Sequence, residues 1–548
     1  MNFYKRFCNE VFDEKGLLKK LTFKFEPNFN FAYDVVDELA AQNPDKTAML
    51  WTDDYGTEKI FTFADLKKQS TMAANYFLSL GIARGDTVML VLKRHWQFWV
   101  AVLALHRIGA VGIPATNLLT KKDYIYRFNA AQVKAIVATT DGEVVEHIDS
   151  ALSQSPSLKI RISAKGTSAP GWSDFDAEYV KFPDTMERIE TKHSDPFLLY
   201  FTSGTTGMPK MVWHDFTYPL GHIITAKYWH NVNPDGMHFT ISDTGWMKAM
   251  WGKIYGQWLC EGAVFVRDFD KFTPADLLPL FKKHSITTFC APPTMYRFFI
   301  QEDLSKYDLS TLEHISTAGE PLNAEVYNKM LEMTGLRLME GFGQTETTLT
   351  LFNQVGTIPK PGSMGIPSPA WDVDIVDLQG NSVPTGTVGE IVIRTDKSTP
   401  CGMFGGYYQD PELTKTVWYD DIYHTGDTAW QDEDGFYWFV GRTDDVIKSS
   451  GYRIGPFEVE SAILEHPACV ECAVTGVPDP VRGQLVKATI ILAKGYAPSD
   501  ELKKEIQNFV KQNTAPYKYP RVVEFVDELP KTISGKIRRA EIRDNDKN

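Results

Sequence analysis

Residues 197–210 read FLLYFTSGTTGMPK. Apolar and aromatic residues run straight into a loop of small ones, Thr202, Ser203, Gly204, Thr205, Thr206 and Gly207, and the stretch closes on Lys210. Glycine lets backbone N–H groups approach an anion closely, and the hydroxyls add further donors. With a lysine at its end, the loop suits phosphate. It is not the GxxxxGK[ST] loop that opens a helix. Pro209 precedes the lysine, and 211–214 (MVWH) read as a strand. The expectation is a phosphate loop that joins two strands.

Outward from this loop, residues 1–370 alternate helical and strand patterns. Helical spacing over 65–80 is followed by an apolar run at 87–92 (TVMLVL), a helix over 96–108 and a strand at 110–114. The rhythm recurs near 135–138, 287–290 and 336–339. Alternation of this kind implies an α/β layered body. Residues 371–440 read instead as a small antiparallel β unit, with WDVDIVD, EIVIR and DGFYWFVG as strands. A compact α+β piece follows, with helices over 456–465 and 500–512 and strands near 473–477 and 489–492. The expected fold class is α/β. A large N-terminal body, 1–442, holds two α/β layered subdomains plus the β unit, and a small mobile C-terminal domain covers 443–548.

The 548 residues make one large composite unit plus a small one, or three to four domain-sized units on the rough prior of about 150 residues each. Net charge is −13, from 57 basic and 70 acidic residues, which argues against a nucleic-acid partner. A local basic cluster can still bind an anionic ligand. The six cysteines are too scattered for a disulfide framework and fit reduced thiols. Cys469 and Cys472 form a CxxC with no second pair, which reads as ordinary burial. The most apolar long run, 98–115, contains His106 and Arg107, so no membrane span or stable membrane association is expected. The first residues show no apolar signal region and the last no targeting tripeptide, so the expected location is cytoplasmic.

Five further motifs follow the phosphate loop in order: 318–321 (AGEP), 340–346 (EGFGQTE), 423–427 (YHTGD), 441–460 (GRTDDVIKSSGYRIGPFEVE) and 530–538 (PKTISGKIR). Together they resemble the adenylate-forming superfamily of acyl-CoA synthetases, adenylation domains and luciferases, nearest its medium-chain acyl-CoA synthetase and acetyl-CoA synthetase-like branch. The resemblance implies an adenine-contacting turn at Gly319, Glu320 and Pro321. It implies a nucleotide segment at Glu340, Gly341, Phe342, Gly343, Gln344 and Thr345, with Glu346 on Mg²⁺. Asp427 would accept from both ribose hydroxyls, with Arg442 and Arg453 also at the nucleotide. Asp444 would be the hinge, and Lys536, with Thr202 and Glu346, would be catalytic. CoA would meet Ser450, Gly451, Tyr452, Arg482, Lys511, Tyr519, Pro520 and Arg521. Read without that context, Asp427 is a turn residue and Arg482, Lys511, Arg521 and Lys536 are solvated charges.

The implied reaction joins a carboxylic acid to CoA through an acyl-AMP, with ATP and CoA as co-substrates. The acid is already ionised at pH 7, so adenylate formation needs charge neutralisation and alignment rather than a base. The segment 244–251 (TGWMKAMW) resembles the acyl-pocket lining, which offers Trp246, Met247, Met250 and Trp251. Acetyl-specific relatives close this pocket with a tryptophan where this chain has Gly343. Its absence suggests room for a medium-chain, branched or aromatic acid, at about 0.8 kcal/mol per buried CH₂. Lys248 departs from a simple alkyl lining: it either reaches solvent or partners a polar substrate group. The other readings are an acetyl- or propionyl-CoA synthetase, an adenylation enzyme that loads a carrier protein, and a non-catalytic nucleotide sensor. A homodimer is the assembly carried as an expectation.

Overall fold

A computed structural model of the chain describes residues 2–166, 170–202, 208–450, 452–532 and 536–546. Among these residues two large sheets dominate. One has seven strands, in the order Lys210–Asp215, Pro196–Thr202, Val111–Pro114, Thr87–Val91, Ala135–Thr139, Ile160–Ala164 and Ser173–Asp174. All its pairings are parallel except the first, where Lys210–Asp215 runs antiparallel at the edge. The other has nine strands. Its centre, from Leu338–Gly343 through His314–Ala318, Ile286–Ala291, Met237–Thr240 and Ala263–Arg267 to Thr47–Thr52, is parallel. Parallel strands buried on both faces need near-continuous apolar runs, and Thr87–Val91 and Ala135–Thr139 are buried throughout.

The apolar run at 98–115 becomes the helix Gln97–Ile108, and all twelve of its residues are buried. It contributes to one core shared by strands of both sheets. A helix apolar on every side is a core helix here, and its polar residues are neutralised locally. Arg107 forks onto Asp37 at 2.6 and 3.0 Å and donates to Ser70 at 2.9 Å. Burial pushes the pKa of His106 far down, and its ring stacks on Phe197 at 4.1 Å. No helix among the described residues is long and apolar enough to cross a membrane.

The β unit is antiparallel throughout, built from Val373–Val376, Gly389–Arg394, Trp418–Tyr419, Ile422–Gln431 and Tyr437–Arg442. The motif YHTGD lies inside its longest strand. The C-terminal piece has its own sheet and apolar core. The strands expected near 473–477 and 489–492 are parts of a long hairpin, Cys469–Asp479 with Gly483–Leu492. Cys472 is buried with its thiol donating to the Glu460 carbonyl at 3.7 Å, and no described cysteine is in a disulfide.

Candidate active site

Thr202 ends one strand and Lys210 begins the next, and the two stand opposite each other in the antiparallel register. The phosphate loop thus joins two strands, as its sequence predicts. Ser203 to Gly207 lie outside the described residues, as does Gly451. From Lys210 the ammonium sits 5.0 Å from the centre of the Tyr407 ring. The Tyr407 hydroxyl donates to Glu346 Oε1 at 3.0 Å. Burial pushes the Glu346 pKa up, while Tyr407, Lys210 and Arg442 pull it back. His214, on the strand that begins at Lys210, has its pKa driven down to about 4 by burial and binds the Thr345 carbonyl at 2.7 Å. A neutral imidazole therefore fixes the backbone next to Glu346.

Across the cleft the β unit presents Asp427 and Arg442, opposed on neighbouring strands and 3.5 Å apart. Gln344 ties this pair to the nucleotide segment. Its amide donates to Asp427 Oδ2 at 2.5 Å and to the Thr425 carbonyl at 2.8 Å, and its oxygen accepts from Tyr423 at 2.8 Å. Arg442 also donates to the Thr425 carbonyl at 3.0 Å. Burial pushes the Asp427 carboxyl up to about 6 against the pull of Arg442, Gln344 and Lys536. Lys536, whose N–H donates to Thr532 Oγ1 at 3.1 Å, thus reaches the site electrostatically from the C-terminal piece.

The turn expected at adenine holds Gly319 at φ +104, open to glycine at no steric cost. Lys248 donates to the neighbouring Ala318 carbonyl at 2.6 Å, and a Cβ on Gly319 would lie 3.3 Å from its Nζ. This lysine therefore turns to the backbone of the adenine turn. Burial lowers its pKa, and Lys536 acts in the same direction. Glu320 accepts from Thr294 at 2.8 Å. Pro321 leads into Leu322, whose N–H donates to Glu340 Oε1 at 3.1 Å. Glu340 is buried, burial pushes its carboxyl up to about 8, and it accepts from the turn through Leu322. Phe342 is half-buried against Phe439 at 6.5 Å.

At Gly343 the backbone packs tightly: a Cβ there would sit 2.2 Å from the Thr348 carbonyl oxygen. The bend just before the strand Leu349–Phe352 approaches the glycine on the side where a side chain would start. Gly341 is similar: its Cβ would meet Leu349 at 2.7 Å and the Trp229 ring at 2.8 Å. Met250 is fully buried in the core. Trp246 precedes and Met247 starts the helix Met247–Lys253. Trp251 lies 5.8 Å from Trp229, and Lys248 lies 5.8 Å from the Trp251 ring. Trp229, wholly buried, packs beside this segment although its local sequence carries no motif.

The residues expected at CoA fall into two groups. Arg482 donates to Ser450 Oγ at 3.1 Å, and beside Ser450 the Tyr452 ring stacks on Tyr517 at 4.1 Å. In the second, Arg521 donates to Tyr519 Oη at 2.6 Å, and Lys511 lies 5.6 Å over the Tyr519 ring. Pro520 between them is buried. Arg453 is exposed on the strand Tyr452–Ile454, opposite Lys448. Asp444 occupies the turn between Tyr437–Arg442 and Ile447–Ser449, 3.7 Å from Arg442 Nε.

Residues 36–408 match the family of AMP-binding enzymes, and residues 458–536 match the C-terminal domain of AMP-binding enzymes. The chain belongs to the AMP-binding enzyme family. It is 43% identical over 528 residues to mouse (Mus musculus) mitochondrial acyl-coenzyme A synthetase ACSM4, covering 95% of this chain and 91% of the relative. A solved anthranilate CoA ligase in complex with anthranoyl-AMP shares 28% identity at a TM-score of 0.87, covering 95% of this chain and 98% of that one. A benzoate CoA ligase from Burkholderia xenovorans shares 26% identity at a TM-score of 0.82, covering 94% and 100%.

Proposed function

We propose that this chain is an AMP-forming acyl-CoA synthetase acting on a medium-chain, branched or aromatic acid. The observation that carries the nucleotide chemistry is the Asp427–Arg442–Gln344 assembly, set beside Glu346 and Lys210 and reached by the charge of Lys536. Similarity over nearly the whole chain to an acyl-CoA synthetase and to two aryl-CoA ligases supports the same reaction.

In the first step a substrate carboxylate oxygen attacks the α-phosphorus of ATP. The new P–O bond forms as the α–β bridge breaks and diphosphate leaves. Asp427 holds the ribose, Thr202 and Lys210 flank the phosphates, and Lys536 offsets charge that builds on the α-phosphate. In the second step the CoA sulfur attacks the acyl carbon, the bond to AMP breaks, and the thiol proton passes to solvent. Between the steps the domain 443–548 turns about Asp444, taking Lys536 away from the domain 1–442 and bringing up the CoA-facing residues.

Mg²⁺ fits the donors present. Glu346 and Thr345 offer hard oxygens, which suit an ion held by one carboxylate, water and the phosphates of its nucleotide. When bound it would neutralise charge on the leaving diphosphate.

Similarity to an acyl-CoA synthetase and to anthranilate and benzoate CoA ligases supports an acid larger than acetate, since added apolar area rewards burial. A cytoplasmic location remains our reading from free cysteines, although the mouse relative is mitochondrial by name. The test supplies ATP, Mg²⁺, CoA and acids from two to ten carbons plus benzoates, and reads AMP and thioester. We expect CoA-dependent thioester with a maximum above acetate. AMP-ester without thioester would point instead to loading of a carrier protein. A maximum at acetate would overturn the pocket reading.

A further inference from the structure

The phosphate-loop strand and the nucleotide segment are bridged by a segment that no motif marks. Residues 404–408 run along Lys210–Asp215. Gly405 N–H donates to the Trp213 carbonyl at 2.9 Å and Tyr408 N–H to the Met211 carbonyl at 2.7 Å, and Tyr407 pairs with Val212. At its other end, Phe404 N–H donates to the carbonyl of Glu346 at 2.8 Å. The backbone therefore spans from the strand that begins at Lys210 to the residue that bears the carboxylate.

Tyr407 uses this placement twice. Its hydroxyl donates to Glu346 Oε1 at 3.0 Å, and its ring lies under the Lys210 ammonium at 5.0 Å. The side chain is only 5% exposed, and Phe404 packs edge-on against it at 5.4 Å. A rigid ring held from behind is thus the common support of one anion and one cation. An aromatic face attracts a cation without competing for its N–H donors, and a charge-assisted hydrogen bond fixes a carboxylate more firmly than a neutral one.

We propose that Tyr407 is a positioning residue for adenylate formation: it holds Glu346 and Lys210 at one spacing so that both meet the phosphates of ATP together. The inference rests on the adenylate-forming reading above. Once diphosphate has left, only the α-phosphate remains in the acyl-AMP, so the thioester step depends far less on this spacing.

Two variants of the full chain separate the contacts. Tyr407→Phe keeps the ring for Lys210 and loses the bond to Glu346, and Tyr407→Leu loses both. We expect Tyr407→Phe to slow acid-dependent ATP–diphosphate exchange about ten- to hundred-fold, the span of one hydrogen bond to a charged group. It should raise the Mg²⁺ concentration for half-maximal exchange. Thioester formation from synthetic acyl-AMP and CoA should stay within about three-fold of wild type. Tyr407→Leu should weaken ATP binding further in calorimetry, with and without Mg²⁺. Wild-type exchange and Mg²⁺ dependence in Tyr407→Phe would overturn the proposal. So would equal loss in both half-reactions together with a lowered urea midpoint, which marks a packing role. If wild type activates no acid tested, the adenylation reading fails. Calorimetry still judges Tyr407 then, because it needs no acid: unchanged Mg²⁺-dependent ATP affinity in both variants overturns the role.

Discussion

Asp427 and Arg442 face each other across two antiparallel strands of the β unit, and the guanidinium stands 3.5 Å from a carboxylate that is almost wholly buried. The pair is one arginine short of easy ionisation. Burial outweighs the attraction and leaves the Asp427 pKa near 6. Several measurable consequences come from this and neighbouring contacts.

A carboxylate raised from about 3.9 in the unfolded chain to about 6 when folded has two opposite effects. Its protonated form favours the ligand-free fold, so this contribution to stability is complete below about pH 4 and is lost as pH rises through about 6. The ribose, in contrast, needs the ionised acceptor. ATP affinity should therefore fall about tenfold per pH unit below about pH 6, while ligand-free stability gains from the same proton. Calorimetric ATP titrations and urea melts from pH 4 to 8 read both trends. Asp427→Asn should flatten both, and a wild-type pH profile in that variant would count against the assignment.

Lys536→Ala removes one cation from the first transition state. Loss of such a contact typically costs roughly 10²–10³ in rate. The drop should appear in diphosphate exchange and overall turnover. Single-turnover thioester formation from synthetic acyl-AMP should stay within about a few-fold, since Lys536 has no place in that transition state. Comparable losses in both steps would mean that Lys536 has a structural role instead.

Gly343→Ala should destabilise the fold by about 1–3 kcal/mol, as overpacking does, because its Cβ would press on the Thr348 carbonyl at 2.2 Å. The chain-length profile of the residual activity should not move toward acetate. Urea unfolding and an acid panel measure the two effects. An undiminished midpoint with a shift to acetate would restore Gly343 to the acyl pocket.

Asp444 lies in a turn closed by the Asp445 N–H donating to the Arg442 carbonyl at 3.0 Å, and Asp445 pairs with Arg543 of the last helix, Arg539–Asn545. Asp444→Pro fixes φ near −65° and should hold one domain orientation. One half-reaction should fall far more than the other, read as separate single-turnover rates. Equal loss in both would remove Asp444 as the pivot.

Much of the site is local chemistry and was legible as such. A strand running into glycines and hydroxyls reads locally as a loop between two strands, which the opposed Thr202 and Lys210 bear out, whereas Asp427 and Lys536 gain their meaning only from the order of motifs along the chain. The alternation of apolar runs and helical spacing likewise implied layered sheets, because burial on two faces leaves a pattern in composition. Other features have no local trace. Tyr407 meets Glu346, Gln344 meets Asp427 and Trp229 meets Trp251 through sheet register and layer packing, which join ordinary residues far apart in the chain. Gly343 reads as an absent side chain until its neighbour Thr348 is in place. Glu340 shows in sequence only as part of a motif, and its bond to the Leu322 N–H and the burial that raises its pKa come from packing. Residue type sets what a group can do, whereas its surroundings set its charge and its partner. Those surroundings come from distant segments brought together only when the sheets pack.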